Sequence, residues 1–182
     1  MFDKPKFRIF VRMENKDFTD KLPDISSLKE IKFPEKYGSG SSFVGGDKGN
    51  DRLDIKYFID GNRKFFATVR FGFRAQGPPG HVHGGAMAAV LDETLGLAAW
   101  VAGYPIVSAN LNITYINMLP VGKEVVVSTF IENVEDKKVH VSGFLSDKEG
   151  KIYTKAKLLC IIRPVEKIGS DGFMEFIEAQ LS

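Results

Sequence analysis

The stretch "GHVHGGAMAAVLDETLGLAAW", residues 80–100, constrains this chain more than any other. Alanines, leucines and a methionine favour a helix, and we read residues 84–102 as one helix, ended by Gly103 with Pro105 two residues on. The segment is apolar nearly all round, so the helix belongs in an interior. Yet Asp92 and Glu93 stand side by side in its middle, and no further charged residue follows until Lys123. Among neighbours such as Ala88, Ala89, Leu95 and Gly96, a carboxylate must find a partner, line a cavity or change its ionisation. The same acids argue against a membrane span, in which they would be costly.

The rest of the chain supplies strands to surround such a helix. "DRLDIKYFID" and "RKFFATVRFGF" are joined by Asp60-Gly61-Asn62, a hairpin signal. After the helix come "IVSANLNITYINM", "EVVVSTFIENV", "KVHVSGFLSD" and "KIYTKAKLLCIIR", with short charged turns suited to antiparallel neighbours. In the first of these, Ser108, Asn110, Asn112 and Thr114 alternate with Ala109, Leu111, Ile113 and Tyr115. Two strands, one buried helix and four strands predict an α+β fold, an antiparallel sheet wrapped around one long central helix. We expect three parts: an N-terminal extension over 1–50, partly irregular, the main domain over 51–165, and a tail over 166–182 with a short helix. Within the extension, "SSLKEIKFPEKY" suggests a short helix ended near Pro34, and "YGSGSSFVGGDKGND" a loop.

At 182 residues with 43% hydrophobic and 26% charged content, one domain with a full core is expected. The net charge of +2 is spread along the chain, which argues against a nucleic-acid partner. A single cysteine, Cys160, excludes an internal disulfide framework and fits a reducing compartment. No continuous apolar signal segment opens the chain, so a soluble cytoplasmic protein is expected. His81 and His83 alternate in an extended segment without a third ligand at a zinc-site spacing, so neither metal nor cofactor is expected.

His83-Gly84-Gly85 opens the helix. A helix N-terminus presents free N–H groups and partial positive charge, suited to a developing oxyanion, and glycine lets a carbonyl approach the backbone. Taken with an acid nine residues after the histidine, "GPPGHVHGGAMAAVLDETLG" and "VSANLNITYINMLP" resemble the hot-dog-fold acyl-CoA thioesterases, in particular the phenylacetate-degradation branch and its mammalian mitochondrial relatives. The resemblance covers roughly residues 52–164. It implies the hot-dog fold and hydrolysis of a fatty or aromatic acyl-CoA thioester, with Asp92 as nucleophile or general base. It further implies that the Gly84 backbone N–H holds the carbonyl oxygen and that Ser108 orients the water. Near them it places His83 in the catalytic set and Gly85, Glu93 and Gln76 near the substrate. The family's usual asparagine position is Gly77 here, with Gln76 beside it. The choice of Asp92 over Glu93 comes from the resemblance. Other uses of the same fold would be a hydratase or dehydratase, or a non-catalytic acyl-CoA-binding module. The apolar helix needs more cover than one sheet face supplies, and the resemblance implies a homodimer, with dimers able to pair into homotetramers, and sites shared between protomers.

Overall fold

In the computed structural model the described residues are 23–34, 42–45, 51–168 and 172–181. The strands are β1 (Lys29–Ile31), β2 (Leu53–Ile59), β3 (Phe65–Phe71), β4 (Ile106–Tyr115), β5 (Glu124–Glu135), β6 (Lys138–Ser146) and β7 (Ile152–Ile162). Helix α1 (Gly84–Val101) lies between β3 and β4, and α2 (Phe173–Leu181) follows the last strand. The strands form one sheet in the order β1-β2-β3-β5-β6-β7-β4, antiparallel throughout. After α1 the chain therefore crosses to the far edge and lays β4 beside β7.

Alternate residues of β3, β5, β6 and β7 turn inward onto α1, whose Val90, Leu91, Leu95, Ala99 and Val101 have no exposed surface. The one polar residue buried on this helix, Thr94, donates its hydroxyl to the Val90 carbonyl at 2.7 Å, satisfying itself one turn back. Gly143 in β6 sets how closely helix and sheet approach. A Cβ there would stand 2.7 Å from the Leu95 side chain and 2.5 Å from the Ser128 carbonyl oxygen. Leu95 thus occupies a hole that only glycine leaves.

Three local expectations are corrected. The helix expected in "SSLKEIKFPEKY" is instead a single 3-10 turn, Ile25–Ser27, followed by β1, which pairs with β2 and makes the sheet seven-stranded rather than six-stranded. Three residues suffice for an edge strand once β2 presents a free edge, and Ile31 is buried by doing so. The even alternation of β4 is broken by a bulge: Ser108 pairs with Cys160, but Asn110 pairs with Leu159, its immediate neighbour. Of the Gly/Ser-rich loop, residues 42–45 form a turn, and 35–41 and 46–50 lie outside the described residues, as do residues 1–22.

Helix α2 packs against the core beside α1. Its Phe173 stacks on Phe33, with ring centroids 5.7 Å apart, and meets Trp100 edge-on at 5.1 Å. Arg63 fixes it from the β2–β3 hairpin with a two-pronged bond to Glu178 at 2.8 and 2.9 Å.

Candidate active site

The turn before α1 is tied down residue by residue. His83 N–H donates to the Ala75 carbonyl at 2.8 Å and Val82 N–H to Leu119 at 2.8 Å. Gln76 spends its side-chain oxygen within this loop, accepting the Gly80 N–H at 2.9 Å. At Gly77 an added Cβ would lie 2.9 Å from the His83 Cα, so the loop leaves no room for the asparagine usual in the resembling family. His81 is a loop residue, its Nδ1 2.9 Å from the Pro79 carbonyl oxygen.

At the start of α1, His83 is the N-cap. Its extended backbone (φ −66°, ψ 135°) turns the ring back so that Nδ1 accepts the Gly85 N–H at 2.9 Å. The N–H groups of Ala86 and Met87 reach the His83 carbonyl at 3.0 and 3.3 Å. Among the described residues nothing accepts the Gly84 N–H. One donor of the first turn is thus left open, at the positive end of the helix.

Two turns further along, the acids diverge, because neighbouring helix residues point about 100° apart. Asp92 turns to the edge strand, where Ser108 donates its hydroxyl to Asp92 Oδ1 at 2.8 Å. Glu93 turns to β2 and the N-terminal segment. Tyr57 donates to its Oε1 at 2.9 Å, and the Ser42 hydroxyl lies 3.1 and 3.2 Å from its two oxygens. Ser42 in turn accepts the N–H groups of Val44 and Gly45. Burial first, and then the charge of Glu93, push the Tyr57 phenol far above its usual range, so it serves as a neutral donor. Beneath Asp92, Cys160 has no exposed surface; burial, with the charge of Asp92 added, pushes its thiol up to about 12. A thiol so raised is not a nucleophile at neutral pH.

Asp92, Glu93 and Ser108 line one cleft of about 440 Å³, walled by apolar side chains that include Ile31, Phe33, Leu97 and Trp100. The wall made by β1 comes from residues the sequence had suggested were helical. Gly84, Gly85, His83 and Gln76 do not line this cleft. The expected site residues therefore fall into two groups on one helix: an acid with its serine at the cleft, and an open N–H at the helix start. The structure adds Tyr57 and Ser42, which hold Glu93 across 36 and 51 residues of sequence and so left no local signal. It also adds Tyr115, whose hydroxyl donates to the Gly84 carbonyl at 2.9 Å. Among the described residues no group of three or more His, Cys, Asp or Glu is placed to hold a metal ion, and no helix is long and apolar enough to cross a membrane.

Comparison with known proteins bears on this arrangement. The family model of the thioesterase superfamily matches residues 79–154, which hold α1, His83, Gly84, Gly85, Asp92, Glu93 and Ser108 but not Gln76. Acyl-coenzyme A thioesterase THEM4 of Bos taurus is 30% identical over 90% of this chain and 67% of its own length. Acyl-coenzyme A thioesterase THEM5 of Homo sapiens is 29% identical over 75% of this chain and 60% of its own. Of human THEM5, mouse THEM5 and mouse THEM4 the chain spans 42–60% of the length. A hypothetical thioesterase protein from Streptococcus pneumoniae, solved with coenzyme A, superposes with a TM-score of 0.55 at 17% identity, over 62% of this chain and 89% of that one, and shows the shared fold.

Proposed function

The chain belongs to the thioesterase superfamily, and from that premise we propose that it hydrolyses acyl-CoA thioesters, with Asp92 as the reacting carboxylate and the Gly84 N–H as oxyanion donor. The observation that carries this reading is the Asp92 carboxylate, fixed by Ser108 at 2.8 Å on the wall of a mostly apolar cleft. Ser108 occupies Oδ1 and leaves the second carboxylate oxygen for the reaction. As a general base, Asp92 takes a proton from water while the oxygen adds to the thioester carbonyl carbon. The carbonyl oxygen gains charge and is stabilised by the Gly84 N–H. Collapse of the tetrahedral intermediate breaks the carbon–sulfur bond, and the proton held by Asp92 passes to the departing thiolate. As a nucleophile, Asp92 would instead add to the carbonyl carbon and expel the coenzyme A thiolate, leaving a mixed anhydride that water opens to the free acid and the Asp92 carboxylate. Coenzyme A in the related solved structure supports the choice of thiol.

One protomer does not bring the two groups to one carbonyl. Eight residues of helix separate Gly84 from Asp92 by about 12 Å. We place the second half of each site on a second copy of the chain, with two α1 helices antiparallel across a two-fold axis. The exposed edge strand β4, with Val107 38% exposed and Ile116 and Met118 beyond it at 46% and 57%, supports this pairing.

The test is thiol release from a panel of acyl-CoAs of different chain length and aromatic content. Turnover of at least one, lost in Asp92→Asn and largely kept in Glu93→Gln, is the expected result. No thiol release from any member sinks the reading, and a larger loss in Glu93→Gln transfers the role to the other acid.

A further inference from the structure

The peptide joining Gly84 to Gly85 should be among the most freely moving in the chain, since neither flanking residue has a side chain. It is nevertheless held at both ends. Its N–H donates to His83 Nδ1 at 2.9 Å, and its carbonyl accepts the Tyr115 hydroxyl at 2.9 Å. The Tyr115 side chain also lies against Gly84, so a Cβ on that residue would meet two ring carbons and the hydroxyl oxygen at 3.1–3.3 Å. Tyr115 ends β4, where Thr154 of β7 faces it, and it is 52% exposed. An exposed phenol has water available as a partner; here it is turned onto the backbone instead.

We infer that Tyr115 is a positioning residue for the reaction. Its hydroxyl and the His83 imidazole fix the Gly84–Gly85 peptide between them, so that the preceding N–H, that of Gly84, is aimed and left open to the carbonyl oxygen. The division of labour is visible in the first turn. Gly85, Ala86 and Met87 each have an acceptor, and Gly84 has none among the described residues. A donor aligned before the reaction needs no reorganisation as charge develops. If either clamp is lost, the two-glycine start can turn and the donor is misaimed. This inference rests on the proposed oxyanion role of Gly84.

The experiment compares wild type, Tyr115→Phe, His83→Ala and the double variant on the best acyl-CoA of the panel. Complete loss of such a donor costs about 10²–10³ in rate, and misaiming it costs less, so Tyr115→Phe is expected to lower kcat about tenfold, with KM within about twofold. Because both clamps hold one peptide, the double variant should lose little more than the worse single variant. Amide hydrogen exchange, read residue by residue by NMR, gives a measure independent of turnover. The Gly84 amide should exchange fast in all four proteins, whereas the protected Gly85 amide should exchange about tenfold faster in Tyr115→Phe than in wild type. Wild-type kcat and unchanged Gly85 exchange in Tyr115→Phe would overturn the inference. So would additive losses in kcat, or a kcat loss that accompanies dissociation of the assembly in sedimentation. An inactive wild type refutes the proposed function instead, and the exchange measurement still decides whether Tyr115 holds the peptide.

Discussion

Ser108→Ala removes one oxygen from an exposed strand position and should touch chemistry far more than folding. The hydroxyl donates to Asp92 Oδ1 at 2.8 Å, and no other partner of that carboxylate is seen among the described residues. Hydrogen bonds to charged groups contribute about 1.5–3 kcal/mol, and each 1.4 kcal/mol is about tenfold in rate. Partial exposure of the pair to water favours the lower half of that range, so kcat/KM should fall about 10- to 40-fold. Thermal stability should stay within about 0.5 kcal/mol, the usual span for a surface substitution. Ser108→Thr keeps a hydroxyl and should restore most of the rate. The assay is coloured-disulfide trapping of released coenzyme A, beside a melting curve for each variant. Wild-type turnover in Ser108→Ala, or failure of threonine to rescue where alanine is impaired, would refute the claim that this hydroxyl orients the reacting acid.

Two further predictions concern the scaffold. Gly143→Ala puts a methyl group into the space of Leu95 and the Ser128 carbonyl, and should cost about 1–3 kcal/mol in urea unfolding; an unchanged midpoint would show that α1 does not depend on that hole. Asp147, 2% exposed, accepts from Lys123 at 2.6 Å and Tyr153 at 2.8 Å. Burial alone would raise its carboxyl, but those hydrogen bonds and the Lys151 N–H outweigh it and hold it at about 2, below the 3.8 of a free side chain. The folded state thus favours the ionised form, and its stabilisation is complete above about pH 4 and lost as pH falls through about 2. Asp147→Asn should flatten stability over that window and cost about 2 kcal/mol at neutral pH; an unchanged acid limb would contradict the assignment.

The parts of the fold legible in the sequence were those whose signal is local. The 84–102 helix, observed as Gly84–Val101, and the hairpin at Asp60-Gly61-Asn62 follow from composition and turn chemistry. Strand β1 was not legible, since it exists only because β2 offers an edge, and "SSLKEIKF" alone reads equally well as helix. The bulge in β4 was hidden for a similar reason: Ala109 keeps the alternation in sequence while the ladder to β7 skips a step. At the site, the acid pair announced itself by being charged in an apolar helix. Which acid faces which wall depends on Ser108, Tyr57 and Ser42, which come from three distant segments. His83 was legible as a residue of the helix start, but the clamp completed by Tyr115 required knowing where β4 ends.

We propose a thioesterase site assembled from Gly84 of one protomer and Asp92 of another, and subunit mixing separates it from a site built within one chain. Asp92→Asn removes the acid. Gly84→Pro removes the N–H, and proline suits the first residue of a helix, the more so as His83 before it is already extended. A Cβ at this position would meet the Tyr115 side chain, which is half exposed. Each variant alone, once shown to fold and dimerise, should be inactive. After equal mixing and exchange, half the dimers carry one of each chain, and each of these has one intact site, so about a quarter of wild-type activity should return. Sites built within single protomers would leave a lesion in every one, and no recovery from folded, exchanged partners would rule out the shared site.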